Sequence, residues 1–82
     1  MTATTARDAA EHLATEIAWN GAASPAWIAR KLAGFDVDPA AVTEFAVQFG
    51  LLSEIPRLGG YTVTRKVNAR VFGEAFAEWV AA

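Results

Sequence analysis

The chain predicts a mainly α domain with one small β-hairpin, in the order helix, helix, helix, strand, strand, helix. Three observations predict it. Ser24-Pro25 and Asp38-Pro39 are two copies of one helix-start signal. In each, a side-chain oxygen accepts from orphan amides, and proline takes the first helical position, where it has no N–H to lose. Two β-forming runs, Leu51-Leu52-Ser53-Glu54-Ile55 and Tyr61-Thr62-Val63-Thr64, flank the loop Pro56-Arg57-Leu58-Gly59-Gly60, whose glycines can supply positive φ. Apolar residues recur at helical spacing on either side of these signals.

Thr5 stands three residues before Asp8, the T-x-x-D form of a capping box, with the acid in the positive end of the helix. Ala10, Leu13, Ala14, Ile17 and Ala18 follow at helical spacing and Asn20-Gly21 stops them, so the first helix covers about residues 6–19. The second runs over about residues 25–33, with Ile28 and Leu32 inward and Gly34 as a left-handed terminator. The third runs over residues 39–49, with Val42, Phe45, Ala46 and Phe49 inward and Gly50 ending it. So brief a link between these two predicts a steep crossing of the helix-turn-helix kind. After the hairpin, Thr64 is placed to cap a last helix over residues 65–81. Val67, Val71, Ala75 and Trp79 make one stripe of it, and Phe72, Phe76 and Val80 a neighbouring one. Gly73 lies inside that helix at a cost of about 1 kcal/mol relative to alanine, marking close packing or a kink.

At 82 residues the chain is expected to form one domain over 1–82, with residues 1–4 disordered. With 54% hydrophobic and 20% charged residues, a disordered tail is excluded. No apolar run approaches the roughly 20 residues of a membrane span, and Arg7, Asp8 and Glu11 interrupt any signal-peptide core. The absence of cysteine excludes disulfide scaffolds, thiolate catalysis and thiolate metal sites. A cytoplasmic domain is the resulting expectation. Net charge is −2, but its distribution is uneven. Every charge in residues 36–54 is negative (Asp36, Asp38, Glu44, Glu54), and every charge in residues 57–70 is positive (Arg57, Arg65, Lys66, Arg70).

Phe49-Gly50-Leu51-Leu52 followed by Gly59-Gly60-Tyr61-Thr62-Val63-Thr64 resembles the G-L-(L/I/V) … G-x-Y-x-(L/V)-T passage of prokaryotic winged helix-turn-helix regulators. In that passage the chain leaves the recognition helix, makes the wing and enters the next helix. The resemblance spans about residues 5–79. It implies a winged-helix fold, a recognition helix over residues 39–49 with Ala40, Thr43, Glu44, Val47 and Gln48 outward, and a wing tip at Arg57, Leu58 and Gly59. It also implies double-stranded DNA as partner, in a prokaryotic regulator of transcription.

Arg30, Lys31, Arg57, Arg65, Lys66 and Arg70 are the candidate phosphate contacts, and Thr43, Glu44, Val47 and Gln48 the candidate base readers. Arg65 and Lys66 oppose the dipole at a helix N-terminus, so something other than helix stability placed them there. The bland counterpart is a solvated face with Arg70 paired to Glu74 at i,i+4. Glu44, Asp36 and Asp38 make the third helix unlike one that reads DNA. That motivates the alternative: a winged-helix adaptor, or a phage or mobile-element factor, which binds a larger protein complex without DNA.

Trp27, beside Ala23, Ala26 and Ala29, and the set Phe72, Phe76 and Trp79 are candidate partner or homodimer contacts. Trp19, Trp27 and Trp79 are otherwise expected to be core or half-buried. His12, the lone histidine, has no nucleophile or second ligand near it in sequence. Ser24 reads as a cap and Ser53 as a strand residue. No motif of a phosphate-binding loop, nucleophile elbow or metal site occurs, so neither an enzyme nor a cofactor is expected.

Overall fold

The computed structural model describes residues 5–81; residues 1–4, expected to be disordered, and residue 82 lie outside the described residues. The elements are α1 (Ala6–Asn20), α2 (Pro25–Leu32), α3 (Pro39–Gln48), β1 (Leu52–Ile55), β2 (Gly60–Val63), α4 (Arg65–Phe72) and α5 (Glu74–Ala81). The protein is thus mainly helical, with one antiparallel hairpin.

Three helix starts form as their sequences dictate. The Thr5 hydroxyl accepts from the Asp8 amide at 3.1 Å, the Ser24 hydroxyl from Trp27 at 3.1 Å, and the Asp38 carboxylate from Ala40 at 3.2 Å. These caps orient α1, α2 and α3 around one core of Leu13, Ile17, Ile28, Leu32, Val42 and Val67, closed from below by Leu51 and Leu52. α1 supplies Ala9, Ala10 and Ala14 to it, each fully buried. Side chains this small let α3 approach α1 closely.

That close approach settles which face of α3 turns inward. Val42, Thr43 and Ala46 are buried, whereas Phe45 is only half-buried and Phe49, expected inside, is 51% exposed. The two rings stack on each other at 4.8 Å along the margin of the core. α2 ends at Leu32, capped by Ala33 in right-handed geometry. Gly34 does not take the positive φ expected of it.

In the hairpin, Leu52 pairs with Val63, Ser53 with Thr62, Glu54 with Tyr61 and Ile55 with Gly60. Gly60 therefore belongs to β2, and the loop is one residue shorter than expected. A third strand-like contact joins from the α1–α2 link: Ala23 and Tyr61 exchange both backbone hydrogen bonds at 2.8 Å. The Thr62 hydroxyl adds a bond to the Gly21 carbonyl at 2.9 Å. Local sequence carried no signal for this pairing, which ties the start of α2 to the hairpin.

The last helix is two helices. Gly73, with φ 99° and ψ 160°, takes a backbone conformation that ends α4, and α5 turns back against α4 instead of continuing it. The expected continuous helix over residues 65–81, and the stripe from Val67 to Trp79, are corrected accordingly. In α5 Ala77 is buried, Ala75 is exposed, and Trp79 is 75% exposed. Trp19 is 70% exposed, against the expectation of core or half-burial. Thr64 holds the N-cap position of α4 without capping it through its side chain. Its hydroxyl donates to the Gly50 carbonyl at 2.5 Å, fastening the start of α4 to the end of α3.

Candidate functional site

A groove of about 680 Å³ opens on the outer side of α3. α2 contributes Pro25, Ile28 and Ala29 to its walls, and α3 contributes Pro39, Ala40, Thr43, Glu44, Val47 and Gln48. Asp38 stands at one end, and the hairpin adds Glu54 and Tyr61, which face each other in the β1–β2 register. The cap at Asp38 and the bridge at Tyr61 hold the walls in place. Val47 keeps 38% of its surface open in an otherwise apolar setting.

The charge of this groove has one sign. Among the described residues, Asp38, Glu44 and Glu54 line it, and no lysine, arginine or histidine does. Among the described residues, none of these three carboxylates has a salt-bridge partner. Glu44 accepts only from the neutral Gln48 side chain, at 3.4 Å, and Asp38 only from a backbone amide. Thr43, expected outward, is turned in: it is 8% exposed and its hydroxyl donates to the Pro39 carbonyl at 2.8 Å. Ala40, Glu44, Val47 and Gln48 do face outward, as expected.

The basic residues lie elsewhere and are partly engaged. Arg65 donates to Glu74 at 2.9 Å and also to Glu78, clamping α5 against α4. The Glu78 hydrogen bond, with the negative field of both carboxylates, raises the guanidinium pKa above its ordinary value. Arg70 reaches the Thr15 hydroxyl of α1 at 3.3 Å rather than Glu74. The Lys31 ammonium lies over the Trp27 ring, 5.3 Å from its centroid. Arg30 lines a separate hollow with Trp27, Asn20, Ile55 and Leu58. Arg57 and Lys66 are exposed.

The candidate partner residues separate into two places. Trp27 is half-buried at the edge of the core. Phe72, Phe76 and Trp79 form a row with Trp19, which meets Phe72 edge-on at 4.8 Å. Phe72 and Phe76 are also 4.8 Å apart, and Phe76 and Trp79 6.0 Å. His12 pairs with Glu16 at 3.7 Å and lies against Phe35, away from the groove. Among the described residues no cluster of three potential metal ligands occurs, and no helix is long and apolar enough to cross a membrane.

Sequence reasoning placed α3 at the centre of the site but missed the contributions of Pro25, Ile28, Ala29, Glu54 and Tyr61. Of these only Glu54 had a sequence signal, the wholly acidic stretch from residue 36 to residue 54, which contributes three of its carboxylates to the groove. No protein-family model matches the chain, and no curated protein and no solved structure matches it significantly.

Proposed function

We propose that this chain is a small winged-helix-like domain that works as a protein-interaction module, docking its partner on the α2–α3–hairpin groove. One observation carries the reading: the outer surface of α3 is an apolar groove lined by Asp38, Glu44 and Glu54 and, among the described residues, by no cation. A duplex brought to that surface meets negative charge from phosphate and carboxylate alike, with no counterion release to offset it. Of the six candidate phosphate contacts, Arg65 and Arg70 are engaged by Glu74, Glu78 and Thr15. An exposed apolar surface with fixed charges around it is the usual form of a protein-docking site.

Fluorescence anisotropy with a labelled random duplex of about 20 base pairs tests this, since a protein contacting several phosphates binds strongly at low salt. The expected result is no saturable binding at low ionic strength. Saturable binding with a steep dependence on salt, lost on neutralising Arg57 and Lys66, would replace the proposal with a DNA-binding regulator.

A further inference from the structure

Resting on the protein-binding reading above, we propose that the groove takes a cationic amphipathic helix of its partner, with an aliphatic stripe on the groove floor and lysine or arginine on either side. The groove offers the exposed Ala29 and Val47 beside the buried Ile28, and an aliphatic side chain laid there removes the exposed part of Val47 from water. Asp38 caps α3, Glu44 lies within that helix and Glu54 is on β1, so the carboxylates come from both the helical and the hairpin side of the groove. Each lacks a salt-bridge partner among the described residues. Cations flanking an apolar stripe are therefore the complement of this surface in both charge and arrangement. The occupant is helical because two walls of the groove are helices, whose amides and carbonyls are bonded internally. An extended segment lying on them would leave its own backbone groups unpaired, whereas a helix brings its backbone already satisfied.

The test uses the whole chain, labelled with 15N, and three amidated peptides of about 14 residues, long enough to form helix on binding. The first has leucine at i, i+3, i+4 and i+7 with lysine elsewhere; the second replaces lysine by glutamate; the third scrambles the first so that no apolar stripe forms. The first peptide is expected to saturate the protein, with its largest amide shifts at Glu44, Val47 and Tyr61, and the other two to bind at least tenfold more weakly. The double variant Glu44→Lys/Glu54→Lys is expected to lose at least tenfold in affinity. Glu11→Lys/Glu16→Lys, which changes net charge equally on α1, is expected to lose less than threefold, and circular dichroism confirms that both variants fold. Equal binding of the glutamate or scrambled peptide, or indifference to the groove variant, would overturn the cationic helix as occupant. A shift map centred on Trp19 and Trp79 would also overturn it while leaving a protein-binding module in place. Saturable duplex binding at low salt would remove that module itself.

Discussion

The backbone of Gly60 lies so close to Ala23 that a β-carbon added to Gly60 would come 2.7 Å from the Ala23 carbonyl oxygen. Both partners at this contact are backbone, so no flexible side chain can yield. Gly60→Ala must therefore separate the α1–α2 link from β2 and strain the paired bonds between Ala23 and Tyr61. A loss of about 1–3 kcal/mol is expected, the range for forced overpacking, as read by urea unfolding. Gly34→Ala is the internal control. Its added β-carbon meets nothing within 4 Å and its φ is not positive. That substitution is expected to be neutral or to stabilise by up to about 1 kcal/mol, through a less flexible unfolded chain. Equal losses at the two positions would contradict the close approach.

Gly73→Ala probes the break between α4 and α5. Alanine in the Gly73 conformation is strained by about 1–3 kcal/mol, and the cheapest escape is to continue α4 as a helix. Such a straightened helix would carry Glu78 away from Arg65. Expected outcomes are a lower unfolding midpoint and loss of the contacts between the Arg65 and Glu78 side chains by NMR. An unchanged midpoint with those contacts intact would show that the break does not depend on glycine.

Arg65→Gln removes the clamp on α5 without removing apolar area from the core. Amide exchange in residues 74–81 is expected to accelerate, with exchange in α1 and α3 unchanged. Because the guanidinium pKa is raised in the folded protein, its contribution is fully present below the ordinary arginine value and is lost only as pH rises through the folded value. Exchange protection of α5, after correction for the intrinsic rate, should therefore stay level between pH 7 and pH 10. A fall across that interval in the native protein, absent in Arg65→Gln, would refute the clamp as described.

Leu13 and Trp79 invert what size alone predicts. Leu13 is wholly buried, so Leu13→Ala is expected to cost about 2–5 kcal/mol. Trp79 is 75% exposed and meets the Phe76 ring, so Trp79→Ala is expected to stay within about 1 kcal/mol of the parent. Thermal unfolding of the two variants side by side decides it, and a larger loss at Trp79 would mean that the row of rings is covered in solution.

The starts of α1, α2 and α3, the end of α3 at Gly50 and the existence of the hairpin were legible along the chain because each depends on groups within a few residues. A cap is an oxygen beside orphan amides, and a turn is a glycine between two β-forming runs. The continuity of residues 65–81 was not legible, because a glycine within a periodic pattern is compatible with a kink, a close contact or a break. Here the attraction of Glu74 and Glu78 for Arg65 accompanies a break. Thr64 likewise looked like a cap until Gly50 came within reach of its hydroxyl.

The candidate site divides in the same way. Glu44, Val47 and Gln48 were assigned to an outer surface from helical spacing alone, and the acidity of that region is a property of the chain. Thr43 turned inward and Phe49 outward as α3 packed against α1 and α2, which the periodicity of α3 alone does not specify. Arg65 and Arg70 were ready for phosphate in the sequence and are partly engaged in the folded protein, by Glu74 and Glu78 and by Thr15. Capping, turn chemistry and charge order act over one or two turns of chain and can be read there. Which face turns inward, which cation finds a carboxylate, and which acids come to share one groove follow from packing between distant segments, and only the assembled core specifies them.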